Sequence, residues 1–208
     1  MENEVRRIDM KVTLTMSTPE ALIGESAKIC YATKTFEDGG KDITHQLVHG
    51  HSHLAALRFA YATVLLEDVS VACQNQMVRS SHLDFMVQSK RYVKPSKGGF
   101  KFIMPPEMGI IQEKAMTAHW ESSMELYNSL IDQGVKKEDA RAILPANTST
   151  KMYVTGNLQG FWSMFALRLN GHAQAEIREV AEAIYDVLAK EFPQVFTPEQ
   201  KAIFQEGK

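Results

Sequence analysis

Only two cysteines, Cys30 and Cys73, occur in 208 residues, and they have no paired spacing, so the chain carries no disulfide framework and is expected in a reducing, cytoplasmic setting. No window approaches the roughly 18 consecutive apolar residues that a membrane span needs. The opening Met-Glu-Asn-Glu-Val-Arg-Arg lacks the apolar run of a secretory signal. Nor is there a large charge of one sign. A formal net charge of -2 gives no general attraction to nucleic acid or to an anionic membrane, so any anion site must arise from local clustering. No internal repeat and no low-complexity tract is visible. What remains is ordinary globular composition, 44% apolar and 23% charged, enough for one substantial core and short for two. The eleven methionines are read as fillers of core gaps.

Periodicity predicts strands and helices mixed along the chain, and its length favours one domain. Residues 8–16 alternate apolar and polar, and Ser17-Thr18-Pro19-Glu20 then offers a cap, a first-turn proline and an early acid for a helix running to about Tyr31. A loop is expected at Asp38-Gly39-Gly40, with helical sequence resuming at Asp42-Ile43-Thr44. A strand is expected from about Ala56 to Leu66, on the β-branched and aromatic density of Phe59, Tyr61, Thr63 and Val64. Residues 69–79 suit a helix and Lys94 to Pro106 a loop. Ile110, Met116, Trp120, Met124, Leu126, Leu130 and Ile131 mark one amphipathic helix stopped by Gly134. A short helix from Lys136, a strand from Thr148 to Thr155, helices near Leu158–Leu169 and Ala173–Glu191 and a tail helix after Pro193 complete the pattern.

The segment Gln76 to Tyr92 reads Gln-Met-Val-Arg-Ser-Ser-His-Leu-Asp-Phe-Met-Val-Gln-Ser-Lys-Arg-Tyr, a strand or short helix running into a polar loop. Arg79, Lys90 and Arg91 bracket the hydroxyls of Ser80, Ser81 and Ser89, the chemistry of a phosphate or carboxylate site. The spacing also resembles the signature of flavin-dependent thymidylate synthases: Arg-His-Arg, seven residues, Ser, then often Arg-Tyr. Arg79, Ser89, Arg91 and Tyr92 keep that frame, whereas Ser80 and Ser81 stand for His and Arg, and Met86 and Val87 for Asn-Glu. A second block is similar to the same family in order and spacing. It comprises Glu-Asp-Ala-Arg141-Ala-Ile-Leu-Pro, then Asn157, then Leu-Arg168 followed by His-Ala-Gln-Ala-Glu-Ile-Arg, and His49-Gly50-His51 lies upstream.

The resemblance implies a single α+β domain over residues 1–208, with a central, mostly antiparallel sheet flanked by helices, in a homotetramer that binds dUMP through Gln76, Arg79, Ser89, Arg91, Arg141 and Arg168, the last two arginines reaching the site from other subunits. Gln88 and Lys90, flanking Ser89, join the substrate set. Ser89 and Arg168 are the implied catalytic pair, the serine positioning or activating the base and the arginine stabilising it once polarised. The family's flavin positions map to Cys30, His51, Arg79, Ser80, Ser81, Asn157, Gln159 and Ser163. Several departures there remove positive charge while leaving hydrogen-bonding groups, and each lost charge-assisted contact is worth roughly 1.5–3 kcal/mol. The implied reaction uses FAD, NADPH and methylenetetrahydrofolate to turn dUMP into dTMP, with no membrane or nucleic-acid partner.

Two alternatives stay open. The altered flavin-facing residues also suit a hydroxymethyltransferase on dUMP or dCMP, and a non-catalytic nucleotide-binding paralogue would keep the same arginines. His49, His51 and His53 would offer three imidazoles to a metal on a strand face, against the plainer reading of polar loop histidines. His172 is read as packing or capping, and Trp120, Phe161, Trp162 and Phe165 as core or subunit interface rather than a base-stacking platform.

Overall fold

The computed structural model describes residues 10–31, 42–92 and 99–207. The expected Asp38-Gly39-Gly40 loop lies outside them, as do the first residues of the opening alternation and 94–98 of the expected Lys94–Pro106 loop. Four strands form one antiparallel sheet in the order β1-β2-β4-β3, with β1 at Lys11–Ser17, β2 at Tyr61–Ser70, β3 at Asp84–Val87 and β4 at Ser149–Asn157. Alternation decides its faces. In β2, Ala62, Val64 and Leu66 are fully buried and meet Met152 and Val154 of β4, while Tyr61 and Tyr153 on the opposite face stay exposed. Asp68, at φ 57°, sits where the β2–β4 register shifts between Leu66 and Val69 and lets the strand bend into the next helix.

The buried face is covered by α5 (Leu158–Arg168) and α6 (Ala175–Glu191), with α7 (Pro198–Glu206) behind them. Along α6 the residues Ile177, Val180, Ala181, Ile184, Tyr185 and Leu188 recur at helical spacing and are all buried. They meet a cluster of Phe161, Phe165, Phe192, Phe196 and Phe204, with ring centroids of Phe165 and Tyr185 4.9 Å apart. Each such side chain contributes about 1.5–3 kcal/mol by leaving water. The one polar tip, the Tyr185 hydroxyl, donates to the Thr197 carbonyl at 2.6 Å, so the cluster hides no unmet donor there.

Several boundaries depart from expectation. Helix α1 is Ala21–Lys28, continued by a 3-10 turn to Tyr31, and it starts later than the Ser17-Thr18 cap would set it. The Thr18 hydroxyl instead accepts the Tyr61 N–H at 2.9 Å, tying the chain to β2 before the helix begins. The strand expected from Ala56 begins at Tyr61, because Leu54–Phe59 forms a 3-10 helix that sends Ala56 and Leu57 into the core. Residues 76–92 are not a helix end followed only by loop: α2 is Val71–Met77, and β3 follows after a turn. Helix α3 (Ile110–Asp132) stops before Gly134, at φ 85°, as expected. Its expected apolar stripe does not pack as a unit. Ile110 is 72% exposed and Leu126 51%, and only Ser123 and Tyr127 are buried. The helix is held through rings, Phe100 against Tyr127 and Phe102 against Trp120. The short helix α4 is Lys137–Ala140.

Candidate functional site

Helix α2 sets the first group of site residues. Its N-cap is Ser70, whose hydroxyl accepts the Cys73 N–H at 2.9 Å and donates to Glu176 at 2.7 Å, while Glu176 also accepts the Ser70 N–H. Glu176 is itself buried, so α6 fixes where α2 begins. Burial first, and then the Glu176 charge, pushes the Cys73 thiol far up, leaving it a small apolar filler rather than a nucleophile. At the other end of α2, Arg168 from α5 donates through Nη2 to the Gln76 carbonyl at 2.8 Å, and the Gln76 side chain donates to Gln174. The Arg168 Nε is buried without a partner. Arg79 follows, exposed. Gln76, Arg79 and Arg168 are therefore gathered at the C-terminal end of α2.

A second group lies beyond β3. The Ser89 hydroxyl accepts the Arg91 N–H at 3.2 Å, a local turn that orients both residues. Arg91 donates to the Glu138 carboxylate at 2.9 Å, and Arg141 donates to the Glu138 backbone carbonyl at 3.2 Å. Thus α4 brings Arg141 beside Arg91 within one chain. Gln88 lies just past the strand, where its N–H meets the Lys151 carbonyl. Lys90 turns inward: its ammonium donates to the Ser149 carbonyl at 2.9 Å, lies 5.0 Å from the Phe100 ring, and is lowered by burial to about 8. It is part of the packing rather than of an open anion loop, which corrects its grouping with Arg79 and Arg91. Between the two groups runs β3, roughly 13 Å of extended chain.

The residues assigned to flavin are spread over separate places. Asn157 is the N-cap of α5, accepting the Gly160 N–H at 3.0 Å, and Ser163 donates to the Gln159 carbonyl at 3.0 Å. Asn157, Gln159 and Ser163 line a cleft of about 330 Å³ together with Arg58, His82 and Gly160. Arg58 donates through Nε to the Gln159 side-chain oxygen. Ser80, expected to face the cofactor, is buried, and its hydroxyl has no partner among the described residues. Ser81 is exposed, and His82 is the residue of this turn that reaches the cleft. Packing explains the placement: an added Cβ at Gly160 would lie 2.5 Å from the His82 carbonyl, so the turn sits directly on α5.

Cys30 is exposed beside a second, mostly apolar cleft shared with His53 and Phe59, and His51 lines a third with Gln46 and Leu47. The three alternating histidines do not lie on a strand. His49 ends a π-helical turn (Gln46–Gly50), bonds the Gln194 carbonyl at 3.1 Å and packs near His45 and Trp162, while His51 and His53 pair with each other. Among the described residues no group of three His, Cys, Asp or Glu is arranged to hold a metal. His172 is exposed in the turn after α5; the turn is capped instead by Asn170, whose side chain accepts the His172 N–H. Phe161 and Phe165 are core, as expected, and Trp162 packs edge-on against Phe204. No described helix is long and apolar enough to cross a membrane.

Arg58 and His82 are the site residues that sequence reasoning missed. Arg58 sat inside an expected strand, where its neighbours implied nothing about Gln159. His82 lies within the motif itself, directly after two serines whose hydroxyls carry the anion-site pattern.

Residues 11–194 match a family model described as Thy1, thymidylate synthase complementing protein. The flavin-dependent thymidylate synthase of Pyrococcus furiosus is 34% identical over 196 residues, covering 87% of this chain and 80% of that one. The enzyme of the same name from Geobacter sulfurreducens is 31% identical over 200 residues, with 90% and 85% covered. In fold, the chain resembles the crystal structure of Thymidylate Synthase X (ThyX) from Helicobacter pylori with FAD and dUMP, at a TM-score of 0.75 and 20% identity over 93% of this chain and 99% of that one. With its antiparallel sheet, its arginine frame and a match spanning most of its length, the chain belongs to the flavin-dependent thymidylate synthase family.

Proposed function

We propose that the protein transfers a one-carbon unit from methylenetetrahydrofolate to C5 of dUMP, producing dTMP with FAD and NADPH, as a cytoplasmic homotetramer. The observation that carries this reading is the pair of arginine groups, Gln76–Arg79–Arg168 at the end of α2 and Ser89–Arg91–Arg141 beyond β3. A phosphomonoester needs guanidinium forks, and a uracil edge offers carbonyl acceptors to more of them. Because β3 separates the groups, a nucleotide that uses both is best served by one group from each of two chains. That arrangement supports the oligomer.

Arg168 is the residue to stabilise charge on the base. Its bond to the Gln76 carbonyl fixes the guanidinium before substrate arrives, and a donor held in place in advance stabilises developing negative charge without reorganising. Ser89, oriented by its bond to the Arg91 N–H, positions the pyrimidine. Arg79, Arg91 and Arg141 bind.

The cleft at the start of α5 fits a phosphate-bearing dinucleotide: Arg58, His82, Asn157, Gln159, Gly160 and Ser163 line it, with no carboxylate among the described residues. When bound, FAD supplies the hydride that completes the methyl group, and NADPH recharges it. Asn157, Gln159 and Ser163 orient the cofactor from α5; Arg79 and Ser81 are carried by the turn that holds His82, while Cys30 and His51 line separate clefts.

One observation favours a second reading, a hydroxymethyltransferase on dUMP or dCMP. The Ser80 hydroxyl is buried, so one expected donor toward flavin is withdrawn. Product mass decides between the readings. Incubation with dUMP, methylenetetrahydrofolate, FAD and NADPH is expected to give dTMP, dependent on both redox cofactors. A hydroxymethyl nucleotide formed without NADPH would replace this reading with the second, and tight dUMP binding without turnover would leave a binding paralogue.

A further inference from the structure

Three segments distant in sequence converge on the cleft at the start of α5, and each is held rigidly. The 3-10 helix before β2 is pinned by Leu57, fully buried in the core, and by the Ala60 carbonyl, which accepts the Leu158 N–H at 2.9 Å. The turn before β3 is pinned by the close contact of the His82 backbone with Gly156 and Gly160. Helix α5 is pinned by Asn157 at its cap. Arg58 thus projects from a fixed backbone, and Gln159 accepts its Nε–H, which restricts the guanidinium further.

What the guanidinium lacks is a counter-ion. Among the described residues its Nη groups have no hydrogen-bond partner and no carboxylate forms an ion pair with it, although the chain contains 25 acidic residues against 23 basic ones. Its companions in the cleft are His82 and neutral polar groups. A free surface arginine is ordinary; one oriented by a neutral acceptor, in a cleft with no acid among its described lining residues, leaves its forked Nη donors available to an anion.

We propose that Arg58 is the principal cation of the cofactor cleft, binding the phosphate groups of the flavin dinucleotide with His82 beside it. The inference rests on the flavin reading above and adds a residue to it. It also accounts for how the cleft works with a neutral amide at position 159: the positive charge enters from the segment before β2 and is handed to the same place by the Arg58–Gln159 bond. A guanidinium carried by residue 159 itself would reach the same cleft, which makes the charge movable.

The test is a titration of purified protein with FAD, followed by quenching of flavin fluorescence, with dUMP affinity measured separately. Arg58→Gln is expected to weaken FAD binding roughly ten- to a hundredfold, the range of one charge-assisted contact. Its dUMP affinity and melting temperature should not move. The double variant Arg58→Gln with Gln159→Arg is expected to recover most of the lost FAD affinity. If wild type binds FAD and Arg58→Gln binds it equally well, Arg58 is an ordinary surface charge and the proposal is overturned with the flavin reading intact. If wild type gives no saturable FAD signal while still binding dUMP, the flavin reading itself fails and the proposal with it.

Discussion

The two halves of the proposed site are built differently. The nucleotide half takes its charges from residues that are near neighbours in sequence or one contact away: Arg79 follows α2, Arg91 follows β3, and α4 delivers Arg141 to the Glu138 that Arg91 already holds. The cofactor half is assembled from three distant segments, and the arginine lining its cleft, Arg58, belongs to none of the motifs. Charge in a short motif is visible as soon as it is read. Charge delivered from outside any motif, as by Arg58 to Gln159 across 101 residues, becomes visible only when the chain is folded.

If this division is real, perturbations should separate cleanly. Arg168→Ala should have the largest effect, reducing kcat/KM by roughly a hundred- to a thousandfold, as loss of a preorganised charge donor does elsewhere. Its FAD affinity should stay at the wild-type value; a parallel loss of FAD binding would erase the boundary between the halves. Gly160→Ala comes next. The new methyl group would meet the His82 backbone carbonyl, which cannot swing away as a side chain would, so about 1–3 kcal/mol of stability should be lost in denaturant titration. The surviving folded protein should lose FAD binding before dUMP binding.

Glu138→Gln sharpens the nucleotide half with a smaller change. The Arg91–Glu138 pair is 50% and 40% exposed, so its loss should change stability by less than about 1 kcal/mol. Freed from that carboxylate, Arg91 should bind dUMP roughly two- to fivefold more tightly, measurable by calorimetry. Weaker binding would mean that Glu138 orients Arg91 for the nucleotide rather than competing for it. The smallest effect belongs to Lys90, which burial lowers to about 8 from 10.5. Between those values the unfolded chain holds a proton that the folded one has released, so this group makes stability rise with pH across that window. The melting temperature of wild type relative to Lys90→Met should therefore climb from pH 8 toward 10.5; a flat difference would show that the ammonium is solvated.

Much of the fold was legible. Helix α6 announces itself by the spacing of Ile177, Val180, Ile184 and Leu188, and β2 and β4 by β-branched density, because in each a regular period matches a single buried face. Leu54–Phe59 was misread since a short apolar run looks alike as strand or turn, and only packing of Leu57 into the core decides. The stripe on α3 was legible as a pattern, but not what covers it. Motif spacing singles out the frame arginines, and the fold places Arg168 against the end of α2 and Arg91 and Arg141 on Glu138. Ser80 was misplaced because a polar side chain beside a functional arginine was assumed to share its direction, whereas the turn buries it and turns His82 to the cleft. Lys90 failed for a related reason: a long apolar stem allows a lysine to pack inward against Phe100.

The central claim is that one chain carries two nucleotide half-sites, on either side of β3, that are completed by a second chain. Co-expression of Arg91→Ala and Arg168→Ala chains tests it directly, because each variant alone ruins one half and keeps the other. The account predicts that the mixed oligomer regains dTMP formation well above either variant alone, since some of its sites combine two intact halves. Activity in the mixture no greater than the average of the two variants would contradict it.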